Sequence, residues 1–297
     1  MRIFVSGVDG QLAQCLAKRA LQRQDVTVIC RGRPDFDLAN AIEAERQVME
    51  LRPDVIINAA AYTAVDKAES EPRLAFAINC DGAAAMARAA STLAIPLIQI
   101  STDYVFSGNK MSPYVETDDV GPMGVYGQSK LAAELIVRNT APRHAVLRTS
   151  WVYSPFGNNF VKTMIRLGHE RKLLRVVSDQ LGCPTSAMDL AEASINIGKT
   201  MLARPDISGV FHVAGQGETN WAEFAKAILV VLADRGIEVP VVEHIATAEY
   251  PTPAKRPTNS RLDCSKLQSV FGFQLPVWQA SLAHCIKQLE PTHQVTI

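Results

Sequence analysis

A tyrosine and a lysine four residues apart, Tyr126 and Lys130, indicate chemistry by their types and spacing. On a helix, positions i and i+4 lie on one face, so the ammonium would lie near the phenol hydroxyl. A neighbouring positive charge favours the phenolate and is expected to lower the tyrosine pKa from about 10. Such a tyrosine can donate a proton to a substrate near neutral pH. The same lysine could also hold the ribose of a nicotinamide cofactor.

The strand-like run Ile95–Ser101 places a third candidate, Thr102, in the same neighbourhood. The carboxyl ends of parallel strands form the edge at which ligands bind, so Thr102 could bind a substrate carbonyl oxygen beside Tyr126. A tyrosine–lysine pair at this spacing also occurs on ordinary protein surfaces. A hydroxyl, a tyrosine and a lysine in this order behind a glycine turn, however, are typical of short-chain dehydrogenases. We therefore predict Thr102, Tyr126 and Lys130 as the catalytic residues.

The first strand-like segment, Arg2–Ser6, ends at a glycine-bearing turn that could bind a dinucleotide. Gly7 and Gly10 would let the backbone approach a pyrophosphate, and the N-terminus of the following helix would stabilise its charge. The spacing G-x-x-G-x-x-A is a variant of the dinucleotide fingerprint. It is a weak indication alone, because strand–turn–helix junctions often contain glycine for other reasons.

The second strand-like segment, Val26–Cys30, is followed by Arg31 and Arg33 rather than by an acidic residue. An Asp or Glu here would bind the ribose 2′-hydroxyl of NAD, whereas arginine suits the 2′-phosphate of NADP. We therefore predict NADPH as the cofactor, with NADH as the alternative, and Arg31 as one of its ligands. The competing interpretation is that both arginines are solvated surface residues. After the third strand, the small side chains of Ala60 and its neighbours would leave room for a ligand.

Apolar strand-like runs alternate with helical periodicity through the first half of the chain. Further runs lie at Asp54–Ala59 and Ala145–Ser150, and helical segments are most evident at Leu74–Leu93 and Ser129–Asn139. Continuous apolar strands separated by helices indicate a parallel sheet covered on both faces. The sequence thus predicts an α/β fold with a doubly wound, Rossmann-type parallel sheet.

The pattern changes after Trp151, where glycine and proline separate shorter elements. We predict an NAD(P)-binding Rossmann domain over residues 1–150 and a smaller α/β substrate-binding domain over residues 151–297. Part of 185–215 is expected to pack back on the first domain. Two helices are predicted in this half, Ala187–Leu202 and Trp221–Arg235.

The composition excludes several classes of protein. Of the 297 residues, 47% are hydrophobic and 20% are charged, which favours a buried core over disorder. The 30 basic and 30 acidic residues balance, whereas nucleic-acid and membrane-surface proteins carry a basic patch or run. No apolar stretch has the length of a membrane helix, and no signal peptide is evident. We therefore predict a cytoplasmic protein without a nucleic-acid or membrane partner.

Several segments resemble the signatures of the dTDP-4-dehydrorhamnose reductase family, a branch of the extended short-chain dehydrogenases/reductases. Residues 59–69 resemble its A-A-A-x-T-x-V-D-x-A-E, and residues 101–108 its S-T-D-Y-V-F-x-G. Residues 125–134 are similar to V-Y-G-x-[ST]-K-x-x-G-E, with Ala133 in the glycine place. Further segments follow in family order, so that the resemblance extends from residue 1 to about residue 280.

The resemblance implies which residues contact the ligands. The pyrophosphate of the cofactor would be bound by Gly10, Gln11 and Leu12. The rest of the cofactor site would be lined by Asp37, Leu38, Ala61 and Thr63. The sugar nucleotide would face Thr63, Val65, Thr102, Asp103, Tyr126 and Trp151, although a tryptophan after a strand is also a common core aromatic.

One departure from the family bears on metal binding and assembly. Some bacterial members carry a glutamate on the first helix that is part of a Mg²⁺-linked dimer site. The corresponding position here is Cys15, and a thiol is a poor ligand for a hard cation. The six cysteines also form no C-x-x-C pair. We therefore expect no metal site, and any homodimer should form without a magnesium bridge.

The resemblance implies NAD(P)H-dependent reduction of the 4-keto group of dTDP-4-dehydro-L-rhamnose to dTDP-L-rhamnose. Thr102 would orient the carbonyl, Tyr126 would protonate its oxygen and Lys130 would tune Tyr126. Two alternatives stay open. One is another sugar-nucleotide enzyme, although a dehydratase commonly has Asp-Glu after the threonine and this chain has Asp103 followed by a tyrosine. The other is a non-catalytic regulatory subunit with this fold, such as that of methionine adenosyltransferase.

Overall fold

The computed structural model describes residues 1–234 and 236–289. Its strands are β1 Arg2–Ser6, β2 Thr27–Arg31, β3 Val55–Asn58, β4 Leu97–Thr102, β5 His144–Thr149, β6 Val152–Tyr153, β7 Leu173–Val177, β8 Leu181–Gly182, β9 Thr185–Ser186, β10 Gly209–His212, β11 Thr219–Asn220 and β12 Val241–Ile245. Its α-helices are α1 Gln11–Ala20, α2 Ala41–Leu51, α3 Val65–Ala68, α4 Pro72–Phe76, α5 Gly82–Leu93, α6 Val125–Thr140, α7 Phe160–Glu170, α8 Ala187–Ala203, α9 Trp221–Ala233, α10 Ser265–Phe271 and α11 Trp278–Leu289.

Six parallel strands form the central sheet in the order β2-β1-β3-β4-β5-β10. The strand order reverses direction between β1 and β3, and a doubly wound sheet binds its ligand at such a switch point, beyond the carboxyl ends of the strands. The predicted α/β fold with a doubly wound parallel sheet is confirmed.

Both faces of the sheet are buried. Successive side chains of each strand point to opposite sides, and each side is covered by helices. In β1, Ile3 and Val5 pack into a cluster with α1 and α8, whereas Phe4 packs on the other side with α2, α5 and α6. Apolar residues at nearly every strand position are therefore the sequence signature of this sheet.

The second half of the chain contributes to two regions. Helices α7, α9 and α11 enclose a separate core around Phe224 and Trp278 with the parallel pair β7 and β12. By contrast, α8 packs on α1, and β10 pairs with β5 in the central sheet. The domain division at residue 150 stays a prediction. Within the described ranges, no helix is both long and apolar enough to cross a membrane.

The predicted helices have partly different bounds in the structure. The predicted helix 129–139 begins four residues earlier, at Val125, because the Glu69 carboxylate accepts a hydrogen bond from the Val125 amide at 2.9 Å. This cap comes from a residue distant in sequence. The predicted helix 74–93 is interrupted by a π-helical turn, Ala77–Asp81. For the predicted helix 221–235, α9 ends at Ala233, and Arg235 lies outside the described residues.

Candidate active site

A cavity of about 650 Å³ lies at the carboxyl ends of β1, β3, β4 and β5. Its size is within the usual range for small-molecule and cofactor sites. The predicted cofactor residues at its wall are Gly7, Gly10, Gln11, Leu12, Asp37, Leu38, Ala60, Ala61 and Thr63. The predicted catalytic and substrate residues at its wall are Thr63, Val65, Thr102, Asp103, Tyr126, Lys130 and Trp151.

Arg31 is the exception among the predicted cofactor residues. It is exposed at the end of β2 and lies beside Arg46 and Glu50 of α2, outside this cavity. Arg33 lines the cavity instead. The chain turns at Gly32, where a Cβ atom would lie 3.0 Å from the Val8 backbone nitrogen, so a side chain here would disturb the glycine turn. The structure thus places Arg33, and not Arg31, where a ligand could be reached.

The glycine turn fits the pyrophosphate of a dinucleotide. Gly7 has a φ of +100°, a conformation that residues with a side chain rarely adopt. Helix α1 follows with Gly10 as its N-cap, no side-chain cap and no acidic residue in its first turn. Its first backbone amides therefore lack side-chain partners and can bind an anion.

The carbonyl oxygen of the Gln11 side chain is engaged within the protein. It accepts hydrogen bonds from Ser154 Oγ at 2.9 Å and from Asn159 Nδ2 at 3.0 Å. Gln11 therefore ties the glycine turn to the segment after β6. A pyrophosphate could be bound by the Gln11 backbone amide and by its Nε2 group, which contacts the Val152 carbonyl oxygen only at 3.4 Å.

Thr102 and Tyr126 meet at the end of β4. The Thr102 hydroxyl donates to Asp103 Oδ1 at 3.0 Å and accepts from the Tyr104 amide at 3.2 Å. It is also near enough to the Tyr126 hydroxyl to lower the pKa of that group. The rings of Tyr104 and Tyr126 pack edge to face with centroids 5.7 Å apart. These contacts fix two hydroxyl groups side by side at the cavity wall.

Lys130 lies one helical turn after Tyr126, and its ammonium donates to the Ile100 carbonyl oxygen at 2.6 Å. Burial lowers the pKa of Lys130 to about 8, and the negative charge of Glu134 opposes this change. Burial also raises the pKa of Tyr126 to about 12, although its hydrogen bond with Thr102 acts in the opposite direction. The expected lowering of the tyrosine pKa by the lysine is therefore wrong for this structure, because desolvation dominates.

Two buried oxygens at the cavity wall lack a hydrogen-bond partner within the described part of the chain. They are Asp103 Oδ2 and Thr149 Oγ1. Burial raises the pKa of Asp103 to about 6. Buried polar atoms are nearly always paired in native proteins, so a polar ligand would complete these groups.

Trp151 forms one wall of the cavity and has an unusual backbone conformation. Its φ of 49° is in the left-handed region, which is rare for a bulky residue. The indole stacks on Trp221 with ring centroids 3.6 Å apart. A Cβ atom on Gly182 would lie 2.4 Å from this indole, so glycine is required there. Packing against α9 and β8 holds Trp151 at the cavity wall instead of in the core interior.

Asn79 supports the site from behind the cavity wall and was not predicted. It lies in the π-helical turn, where its side chain accepts from the Tyr62 amide at 2.7 Å and donates to Ser129 Oγ at 2.9 Å. It therefore connects the loop that carries Thr63 to the helix that carries Tyr126. An asparagine within an apolar helical stretch was the signal available in the sequence.

Cys15 is fully buried, and burial raises its pKa to about 12. Its thiol faces the core beneath α1 and not a subunit surface. Among residues 1–234 and 236–289, no cluster of His, Cys, Asp or Glu has a geometry that could hold a metal ion.

Comparison with known proteins identifies the family. The family model described as the RmlD substrate binding domain matches residues 1–290. A dTDP-4-dehydrorhamnose reductase from Sinorhizobium fredii is 50% identical over 283 residues, covering 95% of both chains. The reductase of that name from Escherichia coli is 39% identical, covering 98% of this chain and 99% of its own. A crystal structure of the Bacillus anthracis dTDP-4-dehydrorhamnose reductase in complex with NADP superposes with a TM-score of 0.89 at 36% identity, covering 97% of this chain and 99% of its own. The chain therefore belongs to the dTDP-4-dehydrorhamnose reductase family.

Proposed function

We propose that this protein reduces the 4-keto group of dTDP-4-dehydro-L-rhamnose to give dTDP-L-rhamnose, with NADPH as the preferred reductant and NADH as the alternative. The proposal rests on one observation. Thr102, Tyr126 and Lys130 line the same cavity as the glycine turn at the N-terminus of α1, where a pyrophosphate could bind. The names of the relatives support the substrate, and the relative crystallised with NADP supports the cofactor.

In this mechanism, bound NADPH supplies the hydride that adds to carbon 4 of the sugar. The hydroxyls of Thr102 and Tyr126 bind the carbonyl oxygen and orient it. As the carbon–oxygen double bond becomes a single bond, negative charge develops on the oxygen, and the Tyr126 proton moves to it. The phenolate left behind is stabilised by the Lys130 ammonium and regains its proton from solvent. A high tyrosine pKa suits this role, because the acid stays protonated until the far more basic alkoxide forms.

The test follows NADPH oxidation with the dTDP-4-keto-6-deoxy-L-sugar and determines the configuration of the product by NMR. The Tyr126→Phe variant should lose at least roughly a hundredfold in kcat, the usual contribution of a general acid, while its affinity for NADPH is kept. Tyr250→Phe, at an exposed tyrosine, is the matched control. Turnover of Tyr126→Phe close to that of the unmodified protein would refute the assignment of the acid, and a talo-configured product would refute the assignment of the product.

We propose further that the protein acts in the cytoplasm and that any homodimer forms without a bridging metal. The six cysteines are all free thiols, as is usual in a reducing compartment. The burial of Cys15 argues against a metal ligand at that position.

A further inference from the structure

Three side chains of α6, spaced four residues apart, contact the last three residues of β4. This spacing places them in one row along the helix face that packs on the sheet. The pairs are Tyr126 with Thr102, Lys130 with the Ile100 carbonyl, and Glu134 with the Ser101 hydroxyl. Tyr126, Thr102 and Lys130 are the proposed catalytic residues, and Ser101 lies between Ile100 and Thr102 on β4.

Glu134 does not line the cavity, yet its side chain makes several hydrogen bonds. Its carboxylate is fully buried and accepts hydrogen bonds from Arg148 Nε at 3.0 Å and Arg148 Nη2 at 2.7 Å. In the sheet, Arg148 of β5 lies directly opposite Ser101 of β4. The Glu134 carboxylate therefore connects β4 and β5, one residue before Thr102.

Arg148 is the positive charge that pairs with the Glu134 carboxylate. The Arg148 guanidinium lies over the Phe106 ring at 4.9 Å, and the neighbouring His212 has a pKa lowered to about 3 by burial, so it is neutral. Glu116 binds the His212 backbone amide and does not contact the carboxylate. On α6 itself, Lys130 and Arg138 each lie four residues from Glu134. Arg138 is exposed, whereas Lys130 is buried and Glu134 raises its pKa.

A buried ion pair is a poor way to gain stability, because the desolvation of both charges offsets their attraction. Resting on the proposed function, we propose that Glu134 is a positioning residue for the reduction: anchored by Arg148 and Ser101, it holds the Tyr126–Lys130 face of α6 against the end of β4 and balances the Lys130 ammonium. Its action on the substrate is indirect, through Lys130.

The first test measures the titration of Lys130 by ¹³Cε-lysine NMR in the full chain, which needs neither substrate nor turnover. Glu134→Gln keeps the size of the side chain and can still accept from Ser101, but it removes the charge. The Lys130 titration midpoint should fall by about one pH unit, since a unit charge one helical turn away interacts at this scale. Glu134→Asp keeps the charge and should restore most of the midpoint. Glu170→Gln, in the exposed pair with Arg166, is the matched control and should change nothing.

Glu134→Gln leaves Arg148 as an uncompensated buried charge and could unfold the chain. The double variant Glu134→Gln/Arg148→Met removes both charges and separates the two roles. A folded double variant with a lowered Lys130 midpoint supports the proposal; one with the midpoint and kcat of the unmodified protein overturns it.

Ser101→Ala removes the hydrogen bond between Ser101 and Glu134 and leaves the Glu134–Arg148 ion pair in place. It can be tested even if neither charge variant folds. It should lower kcat severalfold at unchanged NADPH affinity, and an unchanged kcat would overturn the positioning role. Failure of the proposed function would instead appear as no turnover by the unmodified protein, with the Lys130 titration still readable.

Discussion

Replacing Lys130 with methionine is expected to stabilise the free protein while abolishing its activity. Lys130 is only 3% exposed, and folding removes its charge from water. Burial accordingly lowers its pKa from 10.5 to about 8. Methionine has a similar length, fills irregular core space and carries no charge.

The size of the effect follows from this change in pKa. A pKa that falls from 10.5 to about 8 corresponds to a cost of about 3 kcal/mol for holding the charged lysine in the folded state. Losing the hydrogen bond to the Ile100 carbonyl returns about 1 kcal/mol of that. The variant should therefore gain about 2 kcal/mol, or roughly 4 °C in Tm for a chain of this size.

The pH dependence gives a sharper check. Below a pH of about 8, Lys130 is protonated in both the folded and the unfolded protein, so the cost is fully present. Between that pH and 10.5, the unfolded chain binds more protons than the folded one, and the stability of the unmodified protein rises relative to the variant. The advantage of Lys130→Met should therefore shrink across this window.

Urea unfolding of both proteins between about pH 7 and pH 10 measures this difference. Lys226→Met, at a lysine of α9 whose side chain is 43% exposed, is the control and should change stability by less than about 0.5 kcal/mol. The reasoning is refuted if Lys130→Met is less stable than the unmodified protein at pH 7, or if the difference is the same at both ends of the range.

Three further predictions concern the cavity and the assembly. Arg33→Ala should weaken binding of 2′,5′-ADP by about tenfold, the loss of one exposed phosphate contact, whereas Arg31→Ala should not; equal losses in calorimetry would contradict the placement of Arg33. Gly182→Ala should raise the KM for the sugar nucleotide at unchanged NADPH affinity, because the added methyl displaces Trp151 from the cavity wall; an unchanged KM would count against this role of Trp151. Treatment with EDTA should leave the molar mass in light scattering unchanged, since the buried Cys15 provides no metal ligand; a fall in mass would show a metal-bridged assembly.

From the sequence by itself came the prediction of five of the six central strands, the type of the sheet and the residues proposed as the catalytic set, whereas β10 was not predicted. Apolar runs such as 95–101 and 145–150 are local signals, and their burial on two faces follows from composition alone. Thr102 could be placed because it directly follows such a run, and the carboxyl ends of parallel strands share one edge of the sheet. Tyr126 and Lys130 are four residues apart, so a helix at this position was enough to place them on one face.

The tertiary structure decided the features that depend on residues far apart in the chain. The start of α6 is set by Glu69, 56 residues before the amide that it caps. The turn at Gly32 selects Arg33 over Arg31 for the cavity. The direction of the Tyr126 pKa change depends on how much water the assembled walls exclude. The partner of Glu134 could not be predicted from helical spacing. Arg148 lies on another element, and the register of β4 and β5 brings it beside Glu134. Local pattern encodes periodicity, whereas contacts, registers and desolvation exist only once the elements are packed together.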